Sequence, residues 1–133
     1  MVLVDTSVWI ETFRRDRPLR LEALIDVDDV VTCAPVVQEV LQGFDDERGF
    51  RIAREAMLAF PCLEEPMSVR LYEQAADLYR RARRAGKTVR SGVDCLIAAC
   101  ALAHGAQVLH NDRDFDVLAT VAPLAVRSLN RRR

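Results

Sequence analysis

Asp94 stands at the mouth of an otherwise apolar run, "SGVDCLIAACALAHG", and a carboxylate there is costly unless it is paired, hydrogen-bonded or bound to a metal. Three more acids lie at or near the ends of apolar segments: Asp5 follows Val2 to Val4, Glu39 lies within "PVVQEVLQG", and Asp112 follows "QVLH". Carboxylates gathered with no basic residue among them repel one another. A hard divalent cation with oxygen ligands, magnesium or manganese, suits such a group. A pair of these ions activates a water and stabilises the leaving oxygen in phosphodiester hydrolysis. Each acid also has a plainer reading: Ser91 and Asp94 have the spacing of a capping box, Asp5 can cap a helix, Glu39 can be a solvated helix residue, and Asp112 can form a turn.

The elements decide whether these acids meet. Val2 to Val4 reads as a strand, and Thr6 or Ser7 offers an N-cap for a helix through Trp9, Ile10 and Phe13. Leu19 to Ile25 reads as a second helix and Val30 to Cys33 as a second strand. A helix carrying Val36, Val37, Val40 and Leu41 follows, closed by Gly43. Another helix spans Asp46 to about Ala59, "CLEEP" is a brief extended piece, and the longest helix runs from Ser68 to a stop at Gly86. Cys95 to Ala103 contains no polar residue, so that helix belongs inside the protein. "QVLH" makes a strand, "NDRDF" a loop, Asp114 onward a short helix, and "LAVRSL" a last, weak strand.

Short apolar strands alternating with helices imply an α/β fold, a short, mainly parallel central sheet flanked by helices, in a single domain over residues 1–133. In an open parallel sheet, ligands bind at the edge where strands end and helices begin. Asp5, Glu39, Asp94 and Asp112 all fall at that edge and can face one shallow pocket.

The net charge of -1 argues against wholesale electrostatic binding but hides a segregation, since eighteen of the nineteen basic residues are Arg. They gather at Arg14, Arg15, Arg17 and Arg20, at Arg80, Arg81, Arg83, Arg84 and Arg90, and at Arg131 to Arg133. Guanidinium forks grip phosphate, so Arg83, Arg84 and Arg90 are candidate RNA contacts; solvated helix faces are the alternative. Cys33, Cys62, Cys95 and Cys100 show no zinc spacing and read as reduced, small core residues. The N-terminus lacks a basic n-region and no apolar run reaches membrane-spanning length, so a cytoplasmic location is expected.

Four segments together, "VDTSVWI", "PVVQEVLQG", "TVRSGVDCLIAACALAHG" and "HNDRDFD", resemble PIN-domain ribonucleases of the VapC toxin type, nearly from end to end. The resemblance implies a PIN-like three-layer fold, magnesium-dependent cutting of structured RNA such as tRNA or rRNA, a small cognate antitoxin and a homodimer. It matches Asp5, Glu39, Asp94 and Asp112 to the family's acidic quartet, Asp114 to an accessory acid, and Thr6 or Ser7 to a hydroxyl that steadies the site. One position departs: many relatives carry Thr two residues before the last acid, where this chain has His110. An imidazole there either titrates near neutrality against a phosphate or is structural.

"GKT" at Gly86 to Thr88 is no P-loop, because Arg81 stands where that motif needs Gly. A phosphoacceptor receiver domain also gathers acids on a parallel sheet but needs a lysine at a strand end, and Lys87, the only lysine, lies between two helices. A catalytically idle PIN-like interaction module is the remaining rival.

Overall fold

A computed structural model describes residues 1–129, so the arginine group Arg131 to Arg133 lies outside the described residues. The strands are β1 (Val2–Val4), β2 (Val30–Cys33), β3 (Cys62–Leu63), β4 (Gln107–His110) and β5 (Val126–Ser128). The helices are α1 (Thr6–Thr12), α2 (Ala34–Leu41), α3 (Glu47–Leu58), α4 (Val69–Arg84), α5 (Gly92–His104) and α6 (Arg113–Ala119). All strand pairs are parallel, in the order β3-β2-β1-β4-β5. Parallel neighbours require crossovers, and the helices that make them cover the sheet, which is why the strands read as short continuous apolar runs.

β1 is the central strand. Val4 pairs with Leu109 of β4, and the Asp5 N–H donates to the Leu109 carbonyl at 2.9 Å. The chain builds outward from β1 to β3 on one side and then returns to β4 on the other. The topological switch therefore falls between β1 and β4, where the diverging connections leave a crevice at the strands' carboxyl ends.

The core includes Leu3, Val4, Met57, Ile97, Leu109, Phe115 and Leu118. α5 is buried continuously from Asp94 to Ala101, as its unbroken apolar run demands, and its small residues let α4 pack along it. Gly105 ends α5 with φ 63°, a left-handed conformation that glycine adopts without a Cβ clash. Cys33, Cys95 and Cys100 are buried free thiols, and Cys62 is partly exposed. No helix among the described residues is long and apolar enough to cross a membrane.

Several local expectations are corrected. Leu19 to Ile25 forms only a 3-10 turn at Leu21–Ala23, because Pro18 and the Asp26 cap of the next turn leave too few residues to nucleate an α-helix. α1 is capped by Asp5 rather than by Thr6 or Ser7. α2 ends on Gln42 in a right-handed conformation, so Gly43 supplies no left-handed stop. Asp112 caps α6, which starts at Arg113, a residue earlier than its pattern suggests.

Candidate active site

Asp5 leaves β1 at the crevice. Its Oδ2 accepts from the Ser7 N–H at 3.0 Å and from Ser7 Oγ at 2.5 Å, while Ser7 Oγ accepts from the Asn111 N–H at 2.8 Å. One hydroxyl thus fixes the acid and ties the end of β4 to the start of α1. Asp5 is only 3% exposed, and its Oδ1 is buried without a hydrogen-bond partner. Burial pushes its carboxyl up to about 6 against the pull of the Ser7 hydrogen bonds, and the Glu39 charge adds to the rise. Glu39, one turn and a half into α2, is steered by Thr6, whose Oγ1 donates to Glu39 Oε1 at 2.9 Å. The two adjacent hydroxyls therefore divide the work, Thr6 orienting Glu39 and Ser7 orienting Asp5.

The other acids come from α5 and α6. Asp94, Asp112 and Asp114 each present an oxygen within 4.8 Å of the others. Asp112 Oδ1 caps α6 by accepting from the Asp114 N–H at 3.0 Å. The Asp114 carboxylate, 1% exposed, accepts the backbone N–H of Arg90 at 3.1 Å and of Ser91 at 3.2 Å through Oδ2.

That last bond overturns the capping box. The Ser91 N–H that Asp94 would accept goes to Asp114, and the Ser91 side chain makes no capping bond. Asp94 is left 5% exposed with Oδ2 buried and unpartnered. Burial, hydrogen-bonding reach to Asp114, and the charges of Asp5, Asp112 and Asp114 together push its carboxyl far above the usual carboxylate range. Asp94 thus links the Asp5–Glu39 side of the crevice to the Asp112–Asp114 side.

Asp114, matched in the sequence only to an accessory acid, converges with Asp94 and Asp112, whereas Asp5 and Glu39 lie outside that cluster. The Asp-x-Asp spacing across a helix N-terminus is the signal that carries this, since the cap and the second residue of the first turn emerge side by side. The expectation of no basic residue among the acids fails at Arg90. Its Nη2 lies 3.3 Å from Asp112 Oδ1 and its Nε 3.7 Å from Asp114 Oδ1. Arg83 and Arg84 stay on the exposed last turn of α4, with the Arg83 guanidinium 5.7 Å from the Tyr79 ring centroid.

His110 is structural. It is 0% exposed and packs against the Phe115 ring, with centroids 5.3 Å apart. Its Nδ1 accepts the Asp112 N–H at 3.2 Å, which leaves the proton on Nε2, 3.3 Å from Asp116 Oδ1. Burial lowers its pKa despite the nearby Asp116 and Asp112 charges, so the imidazole stays neutral near pH 7 and cannot reach a phosphate.

The residues present fit a hard divalent cation. Three carboxylate oxygens converge, all donors are oxygens, and Asp5 Oδ1 and Asp94 Oδ2 are buried with no partner from the chain. Orphaned buried acceptors are rare, and a cation on the Asp94, Asp112 and Asp114 oxygens satisfies Asp94 Oδ2 and offsets the negative charge that adds to the effect of burial there.

The profile of the PIN domain family matches residues 2–121. Ribonuclease VapC11 of Mycobacterium tuberculosis is 38% identical over 133 residues, covering 96% of this chain and 98% of the relative. The crystal structure of FitAcB from Neisseria gonorrhoeae superposes with a TM-score of 0.70 at 25% identity, covering 95% of this chain and 96% of that one. DNA-bound VapBC from Salmonella typhimurium shares the fold, with a TM-score of 0.76 at 16% identity over 96% of each chain. With an acid-lined crevice at the switch point of a five-stranded parallel sheet and this degree of likeness along nearly its whole length, the chain belongs to the PIN-domain family, among the VapC ribonucleases.

Proposed function

We propose that this chain is a magnesium- or manganese-dependent endoribonuclease that cuts structured RNA, of the tRNA or rRNA kind, and is the toxin held in check by a small cognate antitoxin. The observation that carries the reading is the orphaned buried oxygen Asp94 Oδ2 within the converging Asp94, Asp112 and Asp114 carboxylates. A bound divalent ion supplies Lewis acidity toward an attacking water and the scissile phosphate.

The chain's own residues do the rest. Asp94, Asp112 and Asp114 hold the ion. Asp5 and Glu39 extend the negative field across the crevice, and Ser7 and Thr6 keep those two acids in place. His110 stays neutral and braces the Asp112 turn. Arg83 and Arg84, exposed on α4, are placed to hold flanking phosphates, which positions the RNA without reading its sequence. The domain over residues 1–133 works as a homodimer in the cytoplasm.

The likeness to ribonuclease VapC11 supports RNA as the substrate over an idle interaction module. The test incubates wild type and Asp94→Asn with total tRNA and rRNA, in magnesium and in chelator. Cleavage by wild type in magnesium alone, leaving 5′-phosphate and 3′-hydroxyl ends, supports the reading. Equal cleavage by Asp94→Asn, or none by wild type with magnesium, sinks it.

A further inference from the structure

Arg90 is built into the acid cluster in two separable ways. Its backbone N–H donates to both oxygens of Asp114, at 3.2 and 3.1 Å, which anchors the main chain whatever the side chain does. The guanidinium is held far more loosely. It makes one hydrogen bond, at 3.3 Å, to an Asp112 Oδ1 that the Asp114 N–H already shares, and its Nε approach to Asp114 is beyond hydrogen-bond length at 3.7 Å. The side chain is 60% exposed, so the pair with Asp112 is a weak one.

A divalent ion on Asp94, Asp112 and Asp114 draws on carboxylates that the guanidinium also contacts and carries twice its charge. The two cations therefore compete for the same two carboxylates. We propose that Arg90 is the resident counter-cation of the cluster: it holds Asp112 and Asp114 in the metal-free protein, yields them to the ion, and then turns its planar fork to a substrate phosphate. This rests on the metal-dependent nuclease reading and adds an order of events to it. A guanidinium released at the rim of an ion-bound site matches, in its planar fork, the phosphodiester of a docked strand. Arg90 is therefore a positioning residue whose two partners alternate.

The first measurement is Mn2+ binding to the full chain, titrated by electron paramagnetic resonance, for wild type, Arg90→Gln and Asp94→Asn. Arg90→Gln, an exposed change that keeps the anchoring N–H, should bind Mn2+ on the order of tenfold more tightly, because its competitor is gone. Its metal-free form should melt below wild type, and saturating Mn2+ should raise its melting temperature by more. Equal or weaker Mn2+ affinity in Arg90→Gln, while Asp94→Asn loses the ion, overturns the Arg90 proposal and leaves the metal site standing. No Mn2+ binding by wild type or Arg90→Gln removes both.

The second measurement is RNA affinity across a salt titration, without metal and with calcium. If the freed guanidinium takes a phosphate, adding calcium should steepen the wild-type slope relative to Arg90→Gln by about 0.7 to 0.9, one phosphate's worth. Identical changes of slope in the two proteins overturn the phosphate half of the proposal.

Discussion

Ser7 Oγ accepts the Asn111 N–H at 2.8 Å, joining the first turn of α1 to the loop after β4 across 104 residues of sequence. The same oxygen donates to Asp5, so the hydroxyl aligns one acid and sets the loop that carries Asp112. Ser7→Ala removes both bonds and strands a part-buried N–H. It should cost about 1–3 kcal/mol of stability, seen in urea melts, and lower cleavage more than tenfold even where the protein is fully folded. A folded Ser7→Ala with wild-type cleavage would show that the hydroxyl is not a site component.

Thr6→Val keeps shape and removes only the bond to Glu39. Stability should change by less than about 1 kcal/mol, since the bond is only part-buried. Metal affinity should fall several-fold as Glu39 loses its orientation, and Thr6→Ser should restore it. Calorimetric titration with magnesium on the three proteins decides the matter.

The acid cluster should make the metal-free protein less stable as pH rises. Asp5 goes from 3.8 to about 6 on folding. The folded state therefore keeps a proton that the unfolded chain releases, and the stability present below about pH 4 is lost as pH climbs through about 6. At about 1.4 kcal/mol per unit, this group alone is worth on the order of 3 kcal/mol. Asp94, raised more strongly, loses stability over the same interval and goes on losing above it. Metal-free wild type should melt lower at pH 7 than at pH 5, magnesium should reverse most of the deficit, and Asp94→Asn should be more stable than wild type in chelator yet gain little from magnesium. Identical melts for the two proteins in both conditions would refute the shared pocket.

By NMR, His110 should titrate with a midpoint below the 6.5 of an exposed histidine. Its lowered pKa means that the unfolded chain takes up a proton first, so its contribution to stability falls as pH drops through the unfolded value near 6.5. His110→Ala should cost about 2–4 kcal/mol through the cavity beside Phe115 and the lost Asp112 bond. A normal titration midpoint for His110 would overturn its assignment as a neutral brace.

The strands and the longer helices were legible in the sequence because each repeats a single physical requirement: apolar runs to be covered on both faces, and apolar positions at helical spacing. Asp5, Glu39, Asp94 and Asp112 could be read as candidates for one edge because parallel topology places strand ends and helix starts together, and of these Asp94 and Asp112 converge, with Asp114. What was not legible came from contacts between distant segments. Ser91 and Asp94 carry a valid local capping signal, but a third residue, Asp114, wins the Ser91 N–H. Arg90 read as an RNA contact from its cluster, but the backbone bonds to Asp114 that also bring its side chain over the acids could not be read there. His110 was ambiguous because sequence does not say which face of β4's last residue is covered.

The placement of β1 at the middle of the sheet also governs when during synthesis the enzyme can become dangerous. The strand leaves the ribosome well before the neighbour that begins at Gln107 and the three acids from Asp94 onward. Parallel pairing at such long separation is slow, since the loop must close before any contact repays it. A nascent chain therefore carries Asp5 and Glu39 without the partners that make them a site until Asp94, Asp112 and Asp114 emerge. Stalled chains ending before Gln107 should bind no manganese, so the cell making this nuclease meets an active copy only once the chain through Asp114 is free to fold.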